Sequence, residues 1–210
     1  MKSSREEITD PSPQQVILGI GGSPRKDGNT DILLDHIITG AASKNLESEQ
    51  IHLRDCQFQP CIGCERCRKD RICTGLHDDM TFLYPKIVHA GGLVLVSPVH
   101  NYNVTAWMKA FIDRLYCFYD FTGERPRRWS SRLADQGRKA LIAVVCEQAS
   151  RDDMGFTLEA MRRPLEALGY EIVGELAVLS IFDRGKVRDD PEVLSQATSL
   201  GSELADALVR

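Results

Sequence analysis

The chain has no long apolar run. None of its hydrophobic stretches approaches the ~18 residues that a bilayer-spanning helix requires. The polar stretch from Met1 to Gln15, with Pro11 and Pro13, lacks the apolar centre of a secretory signal, so the expected location is cytoplasmic. A basic excess is missing too: 26 Lys and Arg stand against 30 Asp and Glu, for a net charge of −4. That balance gives no reason to expect nucleic acid or an anionic membrane as partner. The dinucleotide fingerprint G-x-G-x-x-G and the Walker loop ending in Gly-Lys-Ser/Thr are both absent. There is no internal repeat and no low-complexity segment. His36, His52, His77 and His89 are scattered, and no nucleophile–base constellation supports hydrolysis.

What is present reads as an α/β domain. The 210 residues, 42% hydrophobic and 27% charged, suffice for one well-buried core. Apolar runs predict strands at Val16–Ile20, Gln50–Leu53, Leu93–Val96, Lys139–Cys146 and Tyr170–Leu179. Amphipathic stretches between them predict helices after Asn29 or Thr30, at Asp79–Ala90 with Gly91-Gly92 ending it, at Val104–Tyr119, at Met154–Leu168, and from Pro191 to about Leu208. Glu124–Gln136, basic and without periodicity, reads as an excursion. Five strands alternating with helices imply a doubly wound parallel sheet, and the order 2-1-3-4-5 satisfies right-handed crossovers. Residues 1–14 are expected to form an N-terminal arm and 15–210 the domain.

The sequence Val16 to Asp35 joins a buried strand, a Gly-rich polar loop and a helix start. Such a junction aims backbone N–H groups and a helix dipole at one spot, to which Ser23, Arg25, Asn29 and Thr30 add polar side chains. The spot suits a phosphate; an ordinary strand-to-helix loop is the alternative. After the third strand, Ser97-Pro98-Val99-His100-Asn101-Tyr102-Asn103-Val104 forms a polar and aromatic loop where a flat ring would lie. Otherwise, His100 and Tyr102 merely close the sheet end. The loop after the fourth strand, Glu147-Gln148-Ala149-Ser150, should meet the same ligand.

The sharpest signal is the cysteine spacing. Of seven cysteines, Cys61, Cys64, Cys67 and Cys73 read C-x2-C-x2-C-x5-C within the loop 56–73. Successive two-residue gaps suit thiolates curling around a small inorganic core, as in bacterial ferredoxins. Zinc, a redox-active C-x-x-C pair and bare or disulfide-forming thiols remain open readings. Cys117 and Cys146 lie in apolar elements and are expected in the core; Cys56 is the stand-in should one ligand be misassigned. Arg66, Arg68, Lys69 and Arg71 interleave with the thiols, and Arg125, Arg127 and Arg128 form a second basic patch suited to an acidic electron carrier.

The loop Gly22-Ser23-Pro24-Arg25-Lys26-Asp27-Gly28-Asn29-Thr30 resembles the FMN-phosphate loop of the flavodoxin-like NAD(P)H-dependent FMN reductases and iron–sulfur flavoproteins. Lys109-Ala110-Phe111-Ile112-Asp113-Arg114 and Asp189-Asp190-Pro191-Glu192 are similar to later segments of the same proteins, and the likeness covers most of the chain after residue 14. The resemblance implies non-covalent FMN held by Ser23, Arg25, Gly28, Asn29, Thr30, Pro98, Val99, His100, Asn101, Tyr102, Asn103 and Glu147. It also implies a [4Fe–4S] cluster on Cys61, Cys64, Cys67 and Cys73. The implied function is electron transfer from a one-electron donor such as ferredoxin through the cluster to FMN and a small acceptor. The alternative is an NAD(P)H-dependent FMN or quinone reductase without a cluster. A homodimer or homotetramer is implied as well.

Overall fold

The computed structural model describes residues 13–209. The arm expected over residues 1–14 lies outside the described residues except at its end, where Gln14 already belongs to the first strand and pairs with Ala90.

In chain order the elements are β1 (Gln14–Gly21), α1 (Asn29–Ala42), β2 (Glu47–His52), the single turn α2 (Cys67–Asp70), α3 (Met80–His89), β3 (Ala90–Pro98) and α4 (Ala106–Arg114). There follow β4 (Tyr119–Phe121), β5 (Trp129–Ser131), β6 (Lys139–Val145), α5 (Thr157–Leu168), β7 (Glu171–Val178) and α6 (Pro191–Val209). The main sheet has five parallel strands in the order β2-β1-β3-β6-β7. With the small β4–β5 hairpin set aside, this is the expected doubly wound order, and the fold is flavodoxin-like.

Both faces of the sheet are covered because its inner strands β1, β3 and β6 are apolar on both faces. Leu18, Ile20, Leu93, Leu95, Ala140 and Ile142 pack with residues of α3, α4 and α5 on one side. Ile17, Val94, Val96, Leu141 and Ala143 pack with α1 and α6 on the other. The α1–α6 contact is close: a Cβ at Gly40 would overlap the Thr198 carbonyl, and one at Gly201 the Ile37 carbonyl. Arg138, 1% exposed, donates to the carbonyls of Ile87, Val88 and Ala90 and so closes the end of α3.

Several expected boundaries are corrected. Gly91 and Gly92 do not end a helix; they belong to β3. A Cβ at Gly91 would come within 2.6 Å of the Gln14 carbonyl, and one at Gly92 within 2.9 Å of Ile17 and Leu208 side chains, so these glycines admit close neighbours. The helix expected over Val104–Tyr119 ends at Arg114, passes through a 3₁₀ turn at Leu115–Phe118, and leaves Tyr119 in β4. There Tyr119 meets Trp129 edge-on at 5.2 Å, and Tyr116 stacks on Phe121 at 5.1 Å. Helix α5 starts at Thr157 rather than Met154, because Gly155 takes a positive φ of 53°. Neither Asn29 nor Thr30 caps α1: Gly28 holds the cap position and Asn29 is already helical. The Glu124–Gln136 excursion contains β5, whose hairpin partner β4 packs beside α2 in the cysteine loop.

Candidate functional site

At the carboxyl ends of β1, β3, β6 and β7 lies a cavity of about 380 Å³. Its first wall is the loop between β1 and α1, where Ser23, Arg25, Gly28, Asn29 and Thr30 all line the space. The buried Ser23 hydroxyl accepts from the Arg25 N–H at 3.0 Å and tightens the turn. Arg25 lays its guanidinium 4.6 Å from the Phe182 ring centre and donates to the Phe182 carbonyl at 3.1 Å. The Asn29 amide is engaged elsewhere: Nδ2 donates to Asp183 O at 2.9 Å and Oδ1 accepts from Val187 N–H at 3.1 Å. At this position the side chain therefore clips the loop after β7 to α1.

Asp31 sits in the first turn of α1, nearly buried. Arg54 neutralises it through a bidentate pair, Nη1 to Oδ1 at 2.9 Å and Nη2 to Oδ2 at 2.8 Å. Asp31 Oδ2 also accepts from the Asp27 N–H at 2.9 Å, and Arg54 Nη1 donates to the Ser23 carbonyl at 3.3 Å. One ion pair thus fixes the loop from below.

The second wall is the loop after β3. Asn101 and Tyr102 have positive φ of 49° and 63°, and His100 and Asn103 exchange backbone hydrogen bonds of 2.8 and 3.1 Å around them. This is a type I′ turn. It carries Pro98, Val99, His100, Asn101 and Tyr102 to the cavity, whereas Asn103 stays beneath it, its Oδ1 accepting from Val104 N–H at 2.8 Å. Thr105 locks the turn to the first wall: Oγ1 donates to the Gly22 carbonyl at 2.7 Å and accepts from Met108 N–H at 3.2 Å, capping α4. Glu147 and Gln148 come from the end of β6.

The four cysteines of the C-x2-C-x2-C-x5-C run line a second cavity, of about 320 Å³, with Gly75, Arg114 and Tyr116. Positive φ at Gly63 (66°), Glu65 (58°) and Arg71 (58°) curls the loop. Cys61 and Cys64 are exposed, Cys67 and Cys73 half-buried. Burial pushes the Cys67 thiol up, and the neighbouring Cys73, Cys61 and Cys64 thiols add to that push. Among the described residues no three His, Cys, Asp or Glu side chains converge on a point fit for a single metal ion. Cys56 lies outside this cavity, its thiol turned to the His52 carbonyl at 3.7 Å. Cys117 and Cys146 are buried in the core. Of the loop's cations, Arg68 turns to the Tyr116 hydroxyl at 2.6 Å and to Glu65 at 3.0 Å, and Arg71 pairs with Asp120 at 3.0 Å.

The model of one family, NADPH-dependent FMN reductase, matches residues 16–181, from β1 past the end of β7. The chain belongs to that family. Membership brings FMN as cofactor and flavin-dependent oxidoreduction as the enzyme class. An iron–sulfur flavoprotein of Archaeoglobus fulgidus is 32% identical over 190 residues, which span 90% of this chain and 79% of that protein. An iron–sulfur flavoprotein of Methanocaldococcus jannaschii is 38% identical over 98 residues, 47% of this chain and half of that protein's length. A solved NAD(P)H:quinone oxidoreductase from Methanothermobacter marburgensis shares the fold, with a TM-score of 0.67 at 18% identity over 90% of this chain and 98% of that one.

The cavity contains more than the sequence announces. Ile181, Phe182 and Arg184, after β7, also line it. Their sequence signal is slight: an aromatic and a cation before Gly185, just beyond the last predicted strand. Arg184 pairs with Asp27 at 3.3 Å. Asp153, in the turn before α5, completes the rim. Among the described residues no helix is long and apolar enough to cross a membrane.

Proposed function

We propose that this chain is an electron-transfer oxidoreductase, with FMN in the cavity at the strand ends and a [4Fe–4S] cluster on Cys61, Cys64, Cys67 and Cys73. It would work between a one-electron donor of the ferredoxin type and a small acceptor. The observation that carries this reading is that all four thiols of the spaced run line one cavity in a chain of an FMN-binding family. A single tetrahedral ion would need its thiols only ~3.8 Å apart. Cysteine thiolates at this spacing suit a polynuclear iron–sulfur core, and the names of relatives point the same way. When bound, the two groups supply one-electron exchange and its conversion to two-electron chemistry.

The chain's own residues bind and orient. In this reading the first N–H groups of α1, left without intrahelical partners, take the FMN phosphate together with Ser23, Thr30 and Arg25. Pro98–Tyr102 presents backbone groups and the Asn101 amide to the ring's polar edge, and Glu147 bounds the far side. Tyr102 and Phe182 line this cavity yet are 59% and 51% exposed, and Phe156, whose N–H bonds the Tyr102 carbonyl, is 72% exposed. A second copy covering those rings is the basis for a homodimer or homotetramer.

The test is protein purified without oxygen, with iron, acid-labile sulfide and flavin counted per chain and mass measured by light scattering. About four irons, four sulfides and one FMN on an oligomer is the expected result. FMN without iron, with hydride taken from NAD(P)H, would establish the cluster-free reductase instead. A monomer would overturn the assembly.

A further inference from the structure

The loop that carries the cysteines is closed at a neck. Gln57 N–H donates to Asp79 Oδ2 at 2.6 Å, Asp79 N–H to the Gln57 carbonyl at 3.1 Å, and Gln59 N–H to Asp78 Oδ2 at 3.1 Å. Into this neck comes Arg114, the last residue of α4, its side chain 1% exposed. Nη1 donates to the Gln59 carbonyl at 2.8 Å and to Asp78 Oδ2 at 2.7 Å. Nη2 donates to Asp78 Oδ1 at 3.0 Å and to Cys73 Sγ at 3.6 Å. Nε donates to the Tyr84 hydroxyl at 3.1 Å. One guanidinium therefore holds the loop's entrance, its exit and one of its thiols.

We propose that Arg114 is a positioning residue for the cysteine pocket, which keeps the loop closed in the metal-free chain and aims a charged N–H at the Cys73 sulfur. The closing role follows from burial. A planar cation removed from water must satisfy its donors, and here the partners are the two ends of the loop. Opening the neck would strand both Arg114 and Asp78. The sulfur contact has a separate consequence, which rests on the cluster reading above. A fixed cationic donor to a ligand sulfur stabilises the more negative, reduced state of a cluster, and hydrogen bonds to the sulfurs are a recognised lever on potential. Arg68 and Arg71 lie nearer in sequence but are held by Tyr116, Glu65 and Asp120.

The two roles separate in experiment. Amide hydrogen exchange on the metal-free chain compares the wild type with Arg114→Lys, Arg114→Gln and Asp78→Asn. Residues 59–76 should exchange about tenfold faster or more in Arg114→Gln and Asp78→Asn, with Arg114→Lys between and the amides of β3 and β6 unchanged. Unchanged exchange in the loop overturns the closing role. If Arg114→Gln does not fold, the other two variants decide it in the same direction. On protein reconstituted with iron and sulfide, the cluster midpoint should fall in Arg114→Gln, or in Asp78→Asn if the guanidinium leaves the sulfur, and recover in part in Arg114→Lys. An unchanged midpoint at full iron content overturns the sulfur role. A wild-type chain that takes up no iron overturns the cluster reading and the sulfur role together, and the exchange data still decide the neck.

Discussion

At the flavin-type cavity the walls are strand ends. β1, β3, β6 and β7 stop along one edge of the sheet, and Ser23–Thr30, Pro98–Tyr102, Glu147 and Ile181–Arg184 follow from them directly. At the cysteine pocket no strand contributes. The thiols stand on a loop with a single helical turn, and what holds that loop is a buried side chain from α4. The first cavity is a by-product of sheet geometry, whereas the second is held up by a few remote atoms. Damage should therefore spread differently: backbone changes should harm the first, and single side-chain losses the second.

The strongest challenge to that contrast is Arg54, a remote side chain beneath the first cavity. Arg54→Ala removes the bidentate cation from the nearly buried Asp31, leaving it the Asp27 N–H and the nearby His52, and should cost about 3–5 kcal/mol in urea unfolding, with flavin retention falling in parallel. A loss below about 1 kcal/mol would show that the loop's backbone alone holds the cavity.

A pair of glycine substitutions sharpens the contrast. Gly155 has a positive φ of 53°, and a Cβ there would overlap the Tyr102 carbonyl. Gly155→Ala should cost about 1–3 kcal/mol and weaken flavin binding in a fluorescence titration, with iron content unchanged. A Cβ at Gly75 would overlap Cys64 Sγ. On the proposed cluster, Gly75→Ala should lower iron content and leave the flavin titration alone. If either variant damages both sites equally, the two are not separate constructions.

The smallest expected effect concerns a thiol outside both. Burial pushes Cys117 up to about 12, from an ordinary 9.0. A raised acid stays neutral in the native chain, so any stability it lends is complete below pH 9 and fades as pH rises towards 12. In metal-free protein at pH 8, iodoacetamide with mass spectrometry should modify the exposed Cys61 and Cys64 and spare Cys117. Equal labelling would mean that the core opens on the labelling timescale.

The sheet was legible because its strands are short apolar runs with turn residues between them. The first cavity was legible because its loops are contiguous with those strands. Element ends were less so. Gly91 and Gly92 read as a stop, yet they serve close approach of Gln14, Ile17 and Leu208. The aromatics after Arg114 continue a helical pattern but leave it to stack on one another. Asn29 looks like a cap and instead clips a distant loop. The cysteine spacing announced a pocket but not its support, since Arg114 and Asp78 lie 36 residues apart and Gly75 carries no chemistry of its own. Local patterns reveal what a segment offers, and only the folded chain reveals what it leans on.

Helix α4 has nine residues, a rod of ~13.5 Å, with Thr105 at its head and Arg114 at its foot. Thr105 keys into the Gly22 carbonyl and Arg114 into the cysteine neck, so the rod is clocked at both ends. One residue inserted between them would rotate the foot by about 100° and swing the guanidinium away from its partners. Across this stretch the chain can change its letters but not its count.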